Sequence, residues 1–263
     1  MQPLPPELIT LDNCLKLEFK KFYLGVSNGF FQTCYPWARL VYCLDCGAET
    51  FWKAKEQLLH LKRGMWLLIP PFIEVEHHHK NSHHLSLHFS YSLLRGVELL
   101  SGIKFIRYGS APEFTALVEN MTPDEPEQFL NCANILVRTI LQQLMPLTDH
   151  TISSNMKLIR YSHLTDYLIR QKNPHISVAE MAKVMNLCEQ TFARKFAADT
   201  GLTPRKLNEN IIIDHAITLL ENETLSIKEI AAELHFSSEY YFSRFFKRNT
   251  GVPPGRFRQK MQM

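Results

Sequence analysis

The sequence predicts a chain of two domains: an all-β barrel or sandwich with trailing helices, followed by an all-α domain holding two helix-turn-helix units. Three observations predict it. Apolar residues alternate from Leu15 to about Tyr91 between frequent turn signals, the hydrophobic period changes to three and four beyond Pro112, and the second half of the chain repeats itself. At 263 residues there is room for two cores, and 45% apolar with 21% charged residues excludes a disordered or fibrous chain. A membrane span is excluded because the longest uncharged apolar run, Met65 to Ile73, contains two prolines and falls short of the ~20 residues required. Met1 to Thr10 has neither a basic start nor an apolar core, so no secretory leader is expected. Six irregularly spaced cysteines do not make a disulfide framework and point to a reducing cytoplasm.

The net charge of +3 is divided unequally. Residues 1–150 hold 13 Lys/Arg against 15 Asp/Glu, whereas 151–263 hold 16 against 11. A basic C-terminal half hints at a polyanionic partner. In the first half, Leu15-Lys-Leu-Glu-Phe19 and Leu40-Val-Tyr-Cys-Leu44 read as short strands, broken at Ser27-Asn28-Gly29, Gly47 and Arg63-Gly64. Met65–Ile69 reads as a strand buried on both faces and stopped by Pro70-Pro71. A helix starts at Pro112, and a second runs from Pro126 to about Met145 with Phe129, Ala133, Leu136, Val137, Ile140, Leu141 and Leu144 in one stripe. That stripe is wide enough either to pack on its own barrel or to pair in part with a second subunit. The polar stretch Pro146–Asn155 reads as a linker. The expected division is 1–148, a linker at 149–156, and 157–263.

Self-comparison of the second half supplies the most specific signal. Ile176–Leu187 matches Leu225–Phe236, and Phe192–Pro204 matches Phe242–Pro254, with nine identities in 25 positions. Each copy reads as a helix-turn-helix. Ser177 and Ser226 stand at N-caps with Glu180 and Glu229 three residues on, the spacing of a capping box. Asn186 and His235 fall at the turn, where a left-handed residue is commonly needed, and Gly201 and Gly251 end the second helices. On those helices Phe192 with Phe196, and Phe242 with Phe246, are i, i+4 pairs that must face inward.

The opposite face is therefore defined by phase. It presents Gln190, Ala193, Arg194 and Ala197 in the first unit and Glu239, Tyr240, Ser243, Arg244 and Lys247 in the second, with Lys195 and Ser238 completing the candidate set. A single such face is ordinarily just solvated. Two equivalent ones, each with an arginine at the same place, point to double-stranded DNA, because arginine pairs bidentately with guanine in the major groove. Between the units lies one helix, roughly Pro204 to Glu221. At ~1.5 Å per residue it is ~27 Å long. The bodies of the units can make up the difference to the ~34 Å between successive major-groove faces.

This duplicated arrangement resembles the DNA-binding domain of the AraC/XylS family of bacterial transcription regulators over about Lys157 to Lys260. Phe236–Arg258 is similar to the family's signature run. The resemblance implies seven helices, of which the third and sixth read DNA, the two selected above by phase. One departure is the first reading helix, where Ala193, Ala197 and Ala198 leave little beyond Gln190, Arg194 and Lys195 for polar contact. The N-terminal half is similar to the cupin-like effector and dimerisation domain of such regulators, through Leu61–Pro71. The resemblance implies a cytoplasmic homodimer whose barrel binds a small molecule, sugars being a common class, and no enzymatic activity. The alternative is a metal-dependent cupin enzyme fused to a DNA-binding domain.

Trp37 and Arg39 lie on one face of a strand and are the two candidates for effector contact; a core tryptophan beside a surface arginine is the preferred plain reading. His77–His79, His83, His84 and His88 invite a metal, but Phe72 replaces a glycine of the enzymatic cupin motif and Tyr35–Lys55 contains no histidine, so they are read as a surface loop. Cys43 and Cys46 have CxxC spacing but should point to opposite faces of a strand, and are read as structural or incidental. With no phosphate loop, Ser-His-Asp order or paired carboxylates, neither a catalytic residue, a metal nor a cofactor is expected.

Overall fold

The computed structural model describes residues 16–47, 49–94, 96–144, 157–222 and 224–261. The stretch 149–156 expected as a linker lies outside these, as do the first 15 residues. The chain divides into two compact units, one made of Leu17–Tyr91 with Leu99–Thr148, the other containing Ser92–Glu98 and Asp149–Met263.

The first unit holds most of an antiparallel sheet of β1 (Lys16–Thr33), β2 (Ala38–Asp45), β3 (Phe51–Ala54), β4 (Gln57–Leu59), β5 (Met65–Ile69), β6 (Val75–Leu94) and β8 (Arg107–Ser110); the end of β6 and β7 (Val97–Glu98), which pairs with it, are grouped with the other unit. The strands are not uniformly short. β1 has 18 residues and β6 has 20, and the break expected at Ser27–Gly29 is absorbed inside β1. Gly29 takes φ +123° there, a conformation that lets the strand kink without ending. Because β6 is so long, it pairs with β3 near its start and with β2 further along, and also with β1.

Alternation along β2 and β5 sorts the core into two faces. Leu40, Tyr42, Trp66, Leu68, Leu85 and Leu87 form one, covered by helix α1 (Thr115–Glu119) through Val118 and helix α2 (Pro126–Leu144) through Phe129, Ala133, Leu136, Val137, Ile140 and Leu141. Each of these six α2 residues is at most 4% exposed, and Leu144, the seventh of the stripe, is half-buried against the same cluster, so the stripe packs on its own unit. The other face joins Val41, Cys43, Leu67 and Ile69 to Trp52, Ala54, Leu61, Val75 and Ile106. Among the described residues no helix contributes to it, and the sheet buries this face by curling on itself.

Two expectations fail here. The histidines are not a surface loop: His77–His79, His83, His84 and His88 all lie on β6, and His79, His84 and His88 are buried. Apolar neighbours are few in this stretch, which is why it reads as a loop, yet its alternate residues fall on the curled face. Nor do Cys43 and Cys46 point apart. The register of β2 against β6 shifts between Cys43 and Asp45, which brings Cys46 back to the same side, and the two are joined as a disulfide.

The second unit is helical in its main part. It comprises α3 (Ser162–Gln171), α4 (Val178–Val184), α5 (Glu189–Thr200), α6 (Pro204–Glu221), α7 (Ile227–Glu233), α8 (Glu239–Thr250) and α9 (Pro254–Met261). Both capping boxes form. Ser177 and Ser226 Oγ accept from the amides of Glu180 and Glu229, whose carboxylates accept in return from the serine amides at 2.8 and 2.7 Å. The turns repeat atom for atom. Leu187 and Phe236 donate backbone bonds to the carbonyls of Ala182 and Ala231, five residues back, across Asn186 and His235, which hold φ +53° and +57°. Gly201 and Gly251 end α5 and α8 in the left-handed region, and Pro204 opens α6. Helix α6 threads both repeats, with Leu207, Ile211, Ile212, Ala216, Ile217 and Leu220 buried around its circumference.

Candidate functional site

The inward faces of α5 and α8 are anchored identically. Phe192, Phe196, Phe242 and Phe246 are fully buried, and Phe192–Phe196 and Phe242–Phe246 rings lie 5.7 and 5.8 Å apart. Thr200 and Thr250 stitch the C-terminal ends, each hydroxyl donating to the carbonyl four residues earlier at 2.7 and 2.9 Å. Tyr161, just before α3, meets Phe196 edge-on and donates to Asp199 at 2.7 Å. Two helices held this firmly from behind have a fixed outward face.

That outward face carries the residues expected of it. Gln190, Arg194 and Lys195 are exposed on α5 with Ala193 half-buried among them; Glu239, Tyr240, Arg244 and Lys247 are exposed on α8 with Ser243 half-buried. Ser238 is the N-cap of α8, its Oγ accepting from the Tyr241 amide at 3.3 Å. Arg244 lies over the Tyr240 ring at 5.7 Å, and among the described residues neither Arg194 nor Arg244 forms an ion pair. Arg248, one residue beyond Lys247, is different: it donates to Glu209 of α6 at 3.0 Å and covers Phe245, so its charge is committed to the scaffold.

Phase reasoning missed Tyr241. It is 59% exposed beside Tyr240 in the first turn of α8, although it sits next to the inward Phe242. Two adjacent tyrosines at a helix start, where side chains splay, were the available signal. On α5 the equivalent N-cap is Cys188, exposed, with Sγ 3.1 Å from Thr191 Oγ1; the hydroxyl and amide of Thr191, placed to donate to the thiolate, hold its pKa below the usual thiol range.

In the sheet unit, Trp37 and Arg39 come together, and the arginine is not on the surface. Both are 5% exposed on the curled face, with Arg39 directly opposite His88 of β6. Trp37 Nε1 donates to His88 Nδ1 at 3.0 Å, and Tyr35 stacks on Trp37 while lying 5.0 Å from the Arg39 guanidinium. Burial and then the charge of Arg39 push His77 and His88 down to about 2; burial and neighbouring histidines take His79 to about 3, and burial takes His84 to about 4. All are therefore neutral imidazoles at neutral pH. Among the described residues no three His, Cys, Asp or Glu are arranged to hold a metal ion.

Two helix-turn-helix repeats with matching, solidly anchored outer helices define a class, the double helix-turn-helix DNA-binding domain. Comparison with known proteins agrees: residues 181–260 match the family model described as a helix-turn-helix domain. The HTH-type transcriptional regulator MtrA of Neisseria gonorrhoeae is 25% identical over 126 residues, 48% of this chain and 42% of MtrA. The MmsAB operon regulatory protein of Pseudomonas aeruginosa is 27% identical over 136 residues, 52% of this chain and 43% of that protein. The chain thus spans less than half the length of these curated relatives. The two-unit fold is similar to that of ToxT from Vibrio cholerae, solved with an unsaturated fatty acid bound, at a TM-score of 0.52 and 14% identity over 93% of this chain and 94% of that one. Over residues 181–260 the chain is thus similar to the helix-turn-helix domains of transcription regulators. No helix among the described residues is long and apolar enough to cross a membrane.

Proposed function

We propose that this chain is a sequence-specific transcription regulator whose DNA binding is modulated by a small molecule held in the curled sheet. The observation that carries the reading is the equivalence of α5 and α8, two capped helices anchored by the same phenylalanine pair and each turning an arginine outward at the same repeat position. In this reading Gln190, Ala193, Arg194 and Lys195 meet one major groove, and Ser238, Glu239, Tyr240, Ser243, Arg244 and Lys247 meet the next. The arginines contact base edges, guanine being their bidentate partner, while the lysines neutralise phosphates and position the domain. Tyr241 joins the second set.

The finer parts of the reading are a seven-helix DNA-binding domain beyond residue 157, a cupin-like barrel before 149, and a cytoplasmic homodimer without enzymatic activity or cofactor. The relatives' names as regulators support the absence of a catalytic role. The fatty acid bound in ToxT supports a small-molecule effector, with sugars as the other class. Because the inner stripe of α2 is spent on the sheet, the homodimer is drawn through its outer face, where Leu130 and Ile135 are exposed.

Selecting bound sites from genomic fragments, then titrating the strongest across salt concentrations, tests the reading. A log-log slope of about −0.9 per neutralised phosphate is expected. Binding indifferent to salt would reject it in favour of a protein-interaction module.

A further inference from the structure

Arg39 is a buried cation with no carboxylate paired to it among the described residues. Its Nη1 donates to Thr33 Oγ1 at 2.7 Å, but Nη2, equally buried, has no hydrogen-bond partner. Tyr35 and Trp37 supply aromatic faces and no charge. A guanidinium removed from water without a counter-charge is costly, and the cost is ordinarily met by an acid of the protein or by an anion from outside it. Among the described residues no acid makes an ion pair with Arg39.

The hydrogen bonds running away from Arg39 reinforce this. Thr33 Oγ1 lies 3.3 Å from His77 Nε2, and His77 Nδ1 lies 2.7 Å from His79 Nε2. With Thr33 accepting from Arg39 and passing its own proton to His77 Nε2, neutral His77 is protonated on Nδ1 and donates to His79. His79 then carries its proton on Nδ1, a second buried atom with no partner. Both ends of the chain Arg39–Thr33–His77–His79 thus finish on donors that find no acceptor among the described residues.

The geometry points to an oxyanion-binding site at Arg39 on the inner face of the curled sheet, taking a carboxylate or a phosphate group as the counter-charge that the described residues do not supply. The inference rests on the reading of this unit as the effector domain and gives that effector a chemical class: a small acid, recognised by the free edge of the guanidinium. Trp37, bonded to His88 beside the arginine, is its natural reporter.

The test uses the full chain at constant sodium concentration with chloride, propionate or phosphate as the anion, and propionamide as the uncharged control, reading tryptophan fluorescence and melting temperature. Saturable binding of propionate or phosphate over chloride is expected, with no response to propionamide; whichever anion prevails identifies the group as carboxylate or phosphate. Arg39→Lys should weaken binding on the order of tenfold or more, since it keeps the charge but loses the fork. Arg39→Met should abolish binding while melting no lower than the parent in chloride, because it removes an uncompensated charge. Equal responses to all three anions, or an Arg39→Met chain that melts lower and still binds, would overturn the site. Affinity for the selected DNA is measured in parallel. Anion binding without any change in DNA affinity would leave the site standing and remove its regulatory reading, whereas a neutral metabolite that shifts DNA binding would keep the regulatory reading and overturn the assignment of the effector as an acid.

Discussion

Arg244 and Lys247 lie on one helix face three residues apart, yet they are suited to different work. Arg244 is braced against Tyr240, which pre-orients its fork; Lys247 is exposed near the helix end. Arg244→Ala should therefore cost ~1–3 kcal/mol on the selected site and relax preference at one base pair, while leaving random DNA bound nearly as before. Lys247→Ala should weaken both alike and reduce the salt slope by about 0.9. Competition titrations with cognate and scrambled duplexes separate the two; equal losses for Arg244→Ala would make it a phosphate contact. Both arginines were legible in the sequence because the repeat aligns them and the phenylalanine pairs set the phase. Arg39 was not, since a charged residue in an alternating strand reads as outward-facing unless the other side of the sheet is also enclosed.

At the scale of elements, the capping boxes and the α2 stripe make opposite demands on mutation. Ser226 satisfies the Glu229 amide at the exposed start of α7, so Ser226→Ala should lower stability by ~0.5–2 kcal/mol with little change in the fold, seen as a shift in the denaturant midpoint. Leu136 of α2 is fully buried against the sheet, so Leu136→Ala should cost ~2–5 kcal/mol by leaving a cavity. In sedimentation, Leu136→Ala should leave the association state of the folded chain unchanged, whereas Ile135→Asp on the outer face should dissociate a dimer. An Ile135→Asp chain that sediments as its parent does would remove α2 from the interface. The helix and its apolar stripe could be read from spacing alone. What the stripe packs against could not, because a run of i, i+3 and i+4 apolar residues is equally suited to a sheet of its own chain or to a partner.

For the molecule as a whole, the buried histidines make the sheet unit acid-sensitive. In the unfolded chain they take up protons near pH 6.5. In the fold His77 and His88 resist protonation down to about 2, His79 to about 3 and His84 to about 4. Folded pKa values below the unfolded one mean that the unfolded state binds more protons once the pH falls beneath 6.5. The stability associated with these neutral imidazoles is thus full above that pH and is lost progressively toward the folded values. Calorimetry from pH 7.5 to 5, a window above the carboxylate range, should show the transition of the sheet unit moving down while that of the helical unit holds. His88→Gln should flatten the slope, and two transitions that keep step would count against the assignment.

The helical half was determined by the sequence almost completely. Caps, turns, inward phenylalanines and the terminating glycines act within a few residues of one another, and duplication states each of them twice. The β half depended on tertiary structure. Strand length, the fate of the β6 histidines, the Cys43–Cys46 pairing and the burial of Arg39 are all set by which strands lie side by side and by how far the sheet curls. Those are contacts between residues tens of positions apart, and local spacing carries no record of them.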